Sequence, residues 1–397
     1  MINNSMPISE KERIHSIDVI RGFAILGIFL VNMSSFHSPA MYEGSNLKLT
    51  TLDTWVTNFI DIFAQASFYT LFSFLFGFGM VIFLDRAKER GQSYKTLFIR
   101  RLLILFLFGI THAFLIWHGD ILVTYSLIGF ILLLFYGARA KVLLTTGLSI
   151  LLVPAILLSA LAIMTSFFMP DQEIVPRDEA LVAESIQNYK YGSFLEITTQ
   201  RMNDYFYVNN LENALFLIVS ILPLFLLGAY VAKQKWFSEV KTHKKAIRTM
   251  WLISLLIGIP SKLLPYFTSK NFGTEYFQGS IGGPALALFY ATSIVLLMDT
   301  QIWKRILKPF SFVGKLSLTN YLLQSIICTT LFYSYGFGFY GEVSHVQGLL
   351  LTIGIFFIQV FGSYLWLKNF QYGPMEWLWR SLTYGKVQTF KRREHNQ

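Results

Sequence analysis

Ten apolar stretches, each close to the length that crosses a bilayer, dominate this chain and leave it few ways to fold. They run over 17–36, 56–84, 98–117, 120–136, 142–168, 211–232, 248–267, 280–298, 315–334 and 346–367. A helix needs about 20 apolar residues to cross roughly 30 Å of hydrocarbon. In lipid every backbone amide must find its partner within the segment, so such runs become helices. Only 14% of the 397 residues are charged, against about 25% in a soluble globule. The expected architecture is all-α, a polytopic membrane helical bundle of about ten transmembrane helices forming one membrane domain over 1–397, multi-pass in the cell membrane. The first stretch is too long for a signal-peptide core and lacks a small-residue cleavage site.

Charge sets the expected direction of the spans. If the N-terminus is cytoplasmic, so are 1–21, 85–101, 137–141, 233–248, 299–315 and 368–397. These segments hold 27 of the 33 Lys and Arg but only 9 of the 23 Asp and Glu. Basic residues mark the cytoplasmic side, so the chain is expected N-in and C-in. The net charge of +10 therefore belongs to the inner membrane face and does not argue for nucleic acid. The long extracytoplasmic loop, 170–210, is acidic and then aromatic, and is expected to carry one or two short helices.

Several polar residues sit where lipid alone gives no reason for them. Ionisable groups within membrane segments face a bundle interior or a water-filled cavity. The opening helix, SIDVIRGFAILGIFLVN, carries Asp18, Arg21 and Asn32 on one face. Asp18 and Arg21 can pair as i, i+3 neighbours. His112 lies near the outer end of the third stretch; it is either a core histidine bonded to a carbonyl or a proton-transfer group. Asp120 follows His118-Gly119. It reads as the N-cap of the fourth helix, and equally as a carboxylate that a tight hairpin brings to His112. Asp61 and Gln65 lie one turn apart in the second stretch, above Gly77 and Gly79, which suit a kink or close packing. Ser317, Asn320, Gln324 and Cys328 form a stripe on the ninth. Such side chains either join helices or line a cavity shared with the first.

The tail, 368–397, is expected to be cytoplasmic and to hold an amphipathic helix over 372–385, with Pro374 in its first turn and Glu376 and Arg380 at i, i+4. The single cysteine excludes an internal disulfide framework and a multi-Cys metal site. No P-loop, dinucleotide fingerprint or HExxH appears, and His37, His118 and His345 are too scattered to argue for a metal.

Taken jointly, SIDVIRGFAILGIFLVN, FSFLFGFG, the His112 region with GDIL, LTNYLLQS and GPMEWLWRSLTYG resemble the YeiB-like family of bacterial multi-pass membrane proteins, over residues 13 to about 385. The opening Asp18-x-x-Arg21-Gly22 with Asn32 also resembles the start of the lysosomal heparan-glucosaminide acetyltransferase and its transmembrane acyltransferase relatives. That resemblance implies acyl transfer, most simply acetyl, from cytoplasmic acyl-CoA to an acceptor across the membrane. His37 is the nearest positional match to the lysosomal enzyme's histidine; His112 matches the YeiB-like pattern better.

On this expectation His112 is the general base and Asp120 orients it. Arg21, Arg100 and Arg101 hold the CoA phosphates. Asn32, Asn320 or Gln324 steadies the oxyanion, and Asp61 is a further substrate-site candidate. The donor substrate is acyl-CoA, with no metal. The partners are the lipid bilayer, acyl-CoA and an extracytoplasmic glycan, lipid-linked sugar or small-molecule acceptor, without nucleic acid; a homo-oligomer is left open. The same polar stripes also fit a proton-coupled transporter or lipid-handling protein without acyl-transfer chemistry. A purely structural or sensing protein is the third reading.

Overall fold

A computed structural model describes residues 13–44, 49–168, 177–268 and 270–392. Every regular element among them is helical, apart from one isolated bridge between Phe370 and Lys391. The chain opens with α1 (His15–His37), α2 (Thr51–Phe63), α3 (Ser67–Glu89), α4 (Tyr94–Leu115), α5 (Leu122–Leu134) and α6 (Ala140–Phe168). α7 (Glu179–Tyr191) and α8 (Phe194–Val208) precede α9 (Leu211–Lys233) and α10 (Val240–Phe267). α11 (Phe272–Phe277) runs through a π-helical turn, Gln278–Gly282, into α12 (Gly283–Leu297). α13 (Gln301–Lys315), α14 (Ser317–Phe332), α15 (His345–Asn369) and α16 (Pro374–Tyr384) complete the fold.

The fold class is the all-α bundle expected. Among the described residues eight spans are long and apolar enough to cross a membrane: α1, α2 with α3, α4, α6, α9, α10, α11 with α12, and α15. α5 and α14 occupy the fourth and ninth apolar stretches but have only 13 and 16 residues. At 1.5 Å per residue they are about 20 and 24 Å long.

One stretch differs in detail from the sequence expectation. The second is not continuous: it breaks at 64–66, where Ala66 adopts a left-handed φ of 60°. Neither glycine below makes that break. The ninth holds α14 within its expected bounds and follows α13, an amphipathic helix lying against α1. The expected helices of the long loop are α7, whose Asp178 accepts from the amides of Ala180 and Leu181, and α8, closed by a Ser193–Glu196 capping box. The acidic start of that loop, 169–176, lies outside the described residues.

Lipid offers no hydrophobic drive between helices, so close packing holds them together. Two crossings use glycines reciprocally. A Cβ on Gly77 of α3 would stand 1.9 Å from the Phe225 carbonyl oxygen of α9, and one on Gly228 of α9 would meet the Phe74 oxygen at 1.9 Å. α1 meets α13 likewise, Gly22 against the Phe310 oxygen and Gly314 against the Asp18 oxygen. These backbone contacts fix the bundle's frame. Its main core lies between α1, α3, α5, α9 and α12. A second cluster, including Phe29, Phe36, Trp117, Tyr189, Cys328 and Tyr333, joins α1 and α14 to α7. Cys328 is fully buried there, as a small core residue.

Candidate functional site

The turn between α4 and α5 is tight for a local reason. The His112 carbonyl accepts from both Ile116 and Trp117, at 3.0 and 2.8 Å, which closes α4. The Asp120 amide then bonds the His118 carbonyl at 2.8 Å. Gly119 leaves room for the Trp117 ring, which a Cβ would meet at 2.1 Å. Gly109 lets α5 start against α4, for a Cβ there would lie 2.6 Å from the Val123 nitrogen.

That hairpin seats Asp120 beside His112. Asp120 Oδ1 lies 2.8 Å from His112 Nδ1, and Asp120 Oδ2 accepts from the Val123 amide at 2.8 Å. One carboxylate thus satisfies an otherwise orphan first-turn donor of α5 and orients the imidazole. Asp120 thus stands one residue before the N-cap position of α5, which Ile121 holds, and still serves the first turn of that helix as well as the imidazole. On the other side, His112 Nε2 lies 2.9 Å from Ser325 Oγ of α14. With a carboxylate at Nδ1 the proton sits there, and Nε2 accepts from the serine hydroxyl. His112 and Ser325 are each 1% exposed, and Asp120 is 7% exposed. The Tyr321 ring stands 5.1 Å from the imidazole and its hydroxyl donates to the Gly119 carbonyl. Trp117 closes another side at 6.3 Å. Its buried indole N–H has no hydrogen-bond partner among the described residues.

Ser325 was not singled out from the sequence. It sits one position beyond the Asn320–Gln324 stripe, and no nucleophile motif surrounds it. The available signal was geometric: a residue next to Gln324 on a short helix faces a different neighbour. Asn320 Nδ2 donates to the Leu316 carbonyl and to Ser363 Oγ, both at 3.0 Å, and Gln324 Nε2 donates to Gln359 Oε1 at 2.9 Å. These two amides therefore join α14 to α15, while Ser325 faces α4. Asn32 is half-buried on α1 and makes no hydrogen bond with the site.

A second polar network stands next to the first. Asp204 of α8 accepts from Tyr42 at 2.8 Å, Tyr189 at 2.6 Å and Gln200 at 2.7 Å. His118 Nδ1 lies 3.5 Å from Asp204. Burial lowers the His118 pKa below its usual 6.5, against the pull of Asp204. The network pins α7 and α8 over the α4–α5 turn.

The expected donor-binding arginines gather at the opposite end of α4. Arg13 and Arg21 pair with Asp18 at 2.5 and 3.3 Å. Arg100 donates to the Thr383 carbonyl, and Arg101 stacks on Trp379 with its guanidinium carbon 3.5 Å from the ring centre. Arg101 feels the charges of both Arg380 and Arg21. Arg380 lies over Tyr372, and its buried Nε has no hydrogen-bond partner among the described residues. Glu376 does not turn to Arg380. Its carboxylate accepts from the amides of Leu318 and Thr319, at 2.7 and 3.1 Å, and caps α14 from outside the helix. Burial raises the Glu376 carboxyl above its usual 4.5, opposed by the hydrogen bonds from Thr319.

Asp61 belongs elsewhere. Its Oδ2 accepts from Tyr266 at 2.6 Å and from Gln278 at 2.9 Å. The fully buried Lys262 donates to the Gln65 carbonyl, which the break before α3 leaves free of a helical partner, at 2.8 Å. Gln65 thus contributes its backbone rather than its side chain.

Residues 231–386, from the last turn of α9 through α16, match the model of a family described as "Protein of unknown function (DUF418)". That part carries Ser325 and Glu376 but not His112. Over the whole length, the chain is 40% identical to the "Uncharacterized protein YxaH" of Bacillus subtilis, across 96% of this chain and 97% of the relative. It is 32% identical to an "Uncharacterized 39.9 kDa protein in amylase 3'region" of Bacillus acidopullulyticus, across 96% of each. It is also 29% identical to the "Uncharacterized protein YeiB" of Escherichia coli, across 94% of this chain and 96% of the relative. With relatives this similar over their full lengths, the chain belongs to the YeiB-like family.

Proposed function

We propose that this protein is a transmembrane acyltransferase, moving an acyl group, most simply acetyl, from cytoplasmic acyl-CoA to a hydroxyl or amine acceptor at the outer side of the cell membrane. The observation that carries this reading is the buried chain Asp120–His112–Ser325. A histidine oriented by a carboxylate and bonded to a hydroxyl is the arrangement that activates an oxygen nucleophile. The charge asymmetry supports an N-in orientation, which puts Arg21, Arg100, Arg101 and Arg380 on the donor side. Arg101 lies within the fields of Arg380 and Arg21, a concentration of positive charge that suits a polyphosphate ligand. Acyl-CoA is the donor substrate, and no metal enters the chemistry.

The reaction runs in two halves. Ser325 Oγ attacks the thioester carbonyl and gives its proton to His112 Nε2. The carbon–sulfur bond breaks, His112 protonates the departing thiolate, and an acyl-serine remains. An acceptor hydroxyl or amine then attacks the ester, losing its proton to His112, which returns it to Ser325. Asp120 stabilises the imidazolium in both halves. The unpaired indole N–H of Trp117, whose ring stands beside the imidazole, is the donor proposed for the tetrahedral oxyanion. Asn320 and Gln324 act mainly by holding α14 in place.

The test uses the full-length protein in nanodiscs with acetyl-labelled acetyl-CoA. The expected result is hydrolysis or transfer together with label trapped on Ser325, both absent in Ser325→Ala. If the folded wild-type protein neither binds nor consumes acetyl-CoA, the reading is wrong. A second reading, proton-coupled transport or lipid handling, is favoured by one observation. The interruptions at 64–66 and Gln278–Gly282 bring Asp61 and Lys262 together inside the bundle, as broken helices do at transport sites. Proton-dependent substrate flux in liposomes lacking acyl-CoA would select it.

A further inference from the structure

The π-helical turn between α11 and α12 borders a cavity of about 170 Å³ shared by α3, α6 and α9. For scale, an engineered cavity of about 150 Å³ accepts benzene. Tyr69, Phe216 and Tyr276 put three aromatic rings on its wall, and Glu275, Ser220 and Ser280 add a carboxylate and two hydroxyls. Phe216 and Tyr276 meet at 6.0 Å with their planes tilted by 49°, so they form a corner rather than a stack. Phe216 is 48% exposed, which makes it the rim. Gly279 keeps the π-turn open: a Cβ there would meet nothing nearer than Ala66 at 4.0 Å. Single π-turns inside α-helices recur at functional sites.

Glu275 decides the ligand's charge. It is half-buried, and among the described residues its carboxylate has no ion pair or side-chain hydrogen bond. Lys270 acts on it only from a distance and holds its own ammonium 4.5 Å over the Tyr266 ring. Lys262 is turned to the Gln65 carbonyl. A half-buried carboxylate that pairs with no cation is costly to keep charged, and aromatic faces attract cations most strongly when water is excluded.

We propose that this cavity binds an alkylammonium group, its charge against Glu275 and its methyl or methylene groups against Tyr69, Phe216 and Tyr276. The same chemistry is carried by a lipid headgroup and by a free solute. The proposal does not rest on the acyl-transfer reading, because none of these residues belongs to the Asp120–His112–Ser325 chain.

The experiment titrates tetramethylammonium chloride, with sodium chloride as the ionic-strength control, onto the full-length protein in phosphatidylglycerol nanodiscs. Thermal unfolding and tyrosine and tryptophan fluorescence are the readouts. Tetramethylammonium is expected to raise the unfolding midpoint saturably where sodium does not. Glu275→Gln should weaken binding roughly tenfold or more, the scale of one charge-assisted contact. Tyr276→Leu keeps the carboxylate and should weaken it less. Both variants are first matched to wild type by helical circular dichroism, and an unfolded one is replaced by Tyr69→Leu. Repeating the titration with phosphatidylethanolamine in the nanodisc separates the sources: competition identifies the lipid headgroup, and an unchanged curve identifies a free solute. Equal responses to tetramethylammonium and sodium, or binding unchanged in Glu275→Gln, would overturn the proposal.

Discussion

Two buried polar clusters divide this bundle, and they solve the same problem differently. Around His112 the side chains satisfy one another: carboxylate, imidazole and hydroxyl stand in series across three helices. Around Lys262 the backbone does the work. The chain break at 64–66 exposes the Gln65 carbonyl, and Lys262 takes it. A side-chain series has a direction along which a proton can move, from hydroxyl to imidazole. An ammonium anchored on a carbonyl hands no proton to that partner. The difference separates the group expected to do chemistry from the group expected to hold an interrupted helix in place.

The largest expected effect breaks the series. His112→Ala should lower acyl transfer by about 10²–10⁴-fold, the usual contribution of a positioned base, with acyl-CoA binding retained in a filter or calorimetric assay. Loss of donor binding in the same proportion would move His112 from chemistry to structure. Asp120→Asn should come next. It keeps the shape and the cap on α5 but upsets the tautomer, so turnover falls while the unfolding midpoint hardly moves.

At Lys262 the expected pattern is the reverse. Lys262→Met should cost about 1–3 kcal/mol, since it leaves the Gln65 carbonyl with only the Ser67 hydroxyl at 3.4 Å, and leave turnover per folded molecule unchanged. A catalytic loss at full stability would erase the distinction between the clusters. The glycine crossing of α3 and α9 sharpens it from the packing side. Gly77→Ala should cost roughly 1–3 kcal/mol through backbone collision. Gly79→Ala, whose Cβ meets nothing within 4 Å, should be neutral or slightly stabilising.

The smallest effect is one of pH. Glu376 holds its proton more tightly in the fold than in the unfolded chain, because burial raises its pKa above 4.5. Its contribution to stability is therefore fully present below the ordinary carboxylate range. It is lost as pH rises through the raised folded-state value. The unfolding midpoint of the wild type should decline over that window relative to Glu376→Gln, and parallel curves would show that the carboxylate does not titrate there.

The spans were legible because lipid leaves a strong compositional trace; each apolar stretch contains a helix of the fold. The breaks were less so. Ala66 takes a left-handed conformation that alanine does not advertise, and the π-turn at Gln278–Gly282 leaves no periodic mark. His112 and Asp120 were readable because they lie eight residues apart across one hairpin. Ser325 stands 213 residues from His112, and only the packing of α14 against α1, with side-chain hydrogen bonds to α4 and α15, brings it there. Glu376 escaped for a related reason: spacing offered Arg380 as its partner, whereas two unpaired amides at the start of α14 are better ones.

That last contact has a consequence in time. α14 begins its hydrogen bonding on a carboxylate 58 residues downstream of Leu318. A ribosome delivers α16 after α14, so the helix that carries Ser325 leaves the synthetic machinery with its first turn still open. Chains cut short of α16 should keep most of their spans yet stay sensitive to proteolysis between α13 and α14, where the amides of Leu318 and Thr319 lose their acceptor.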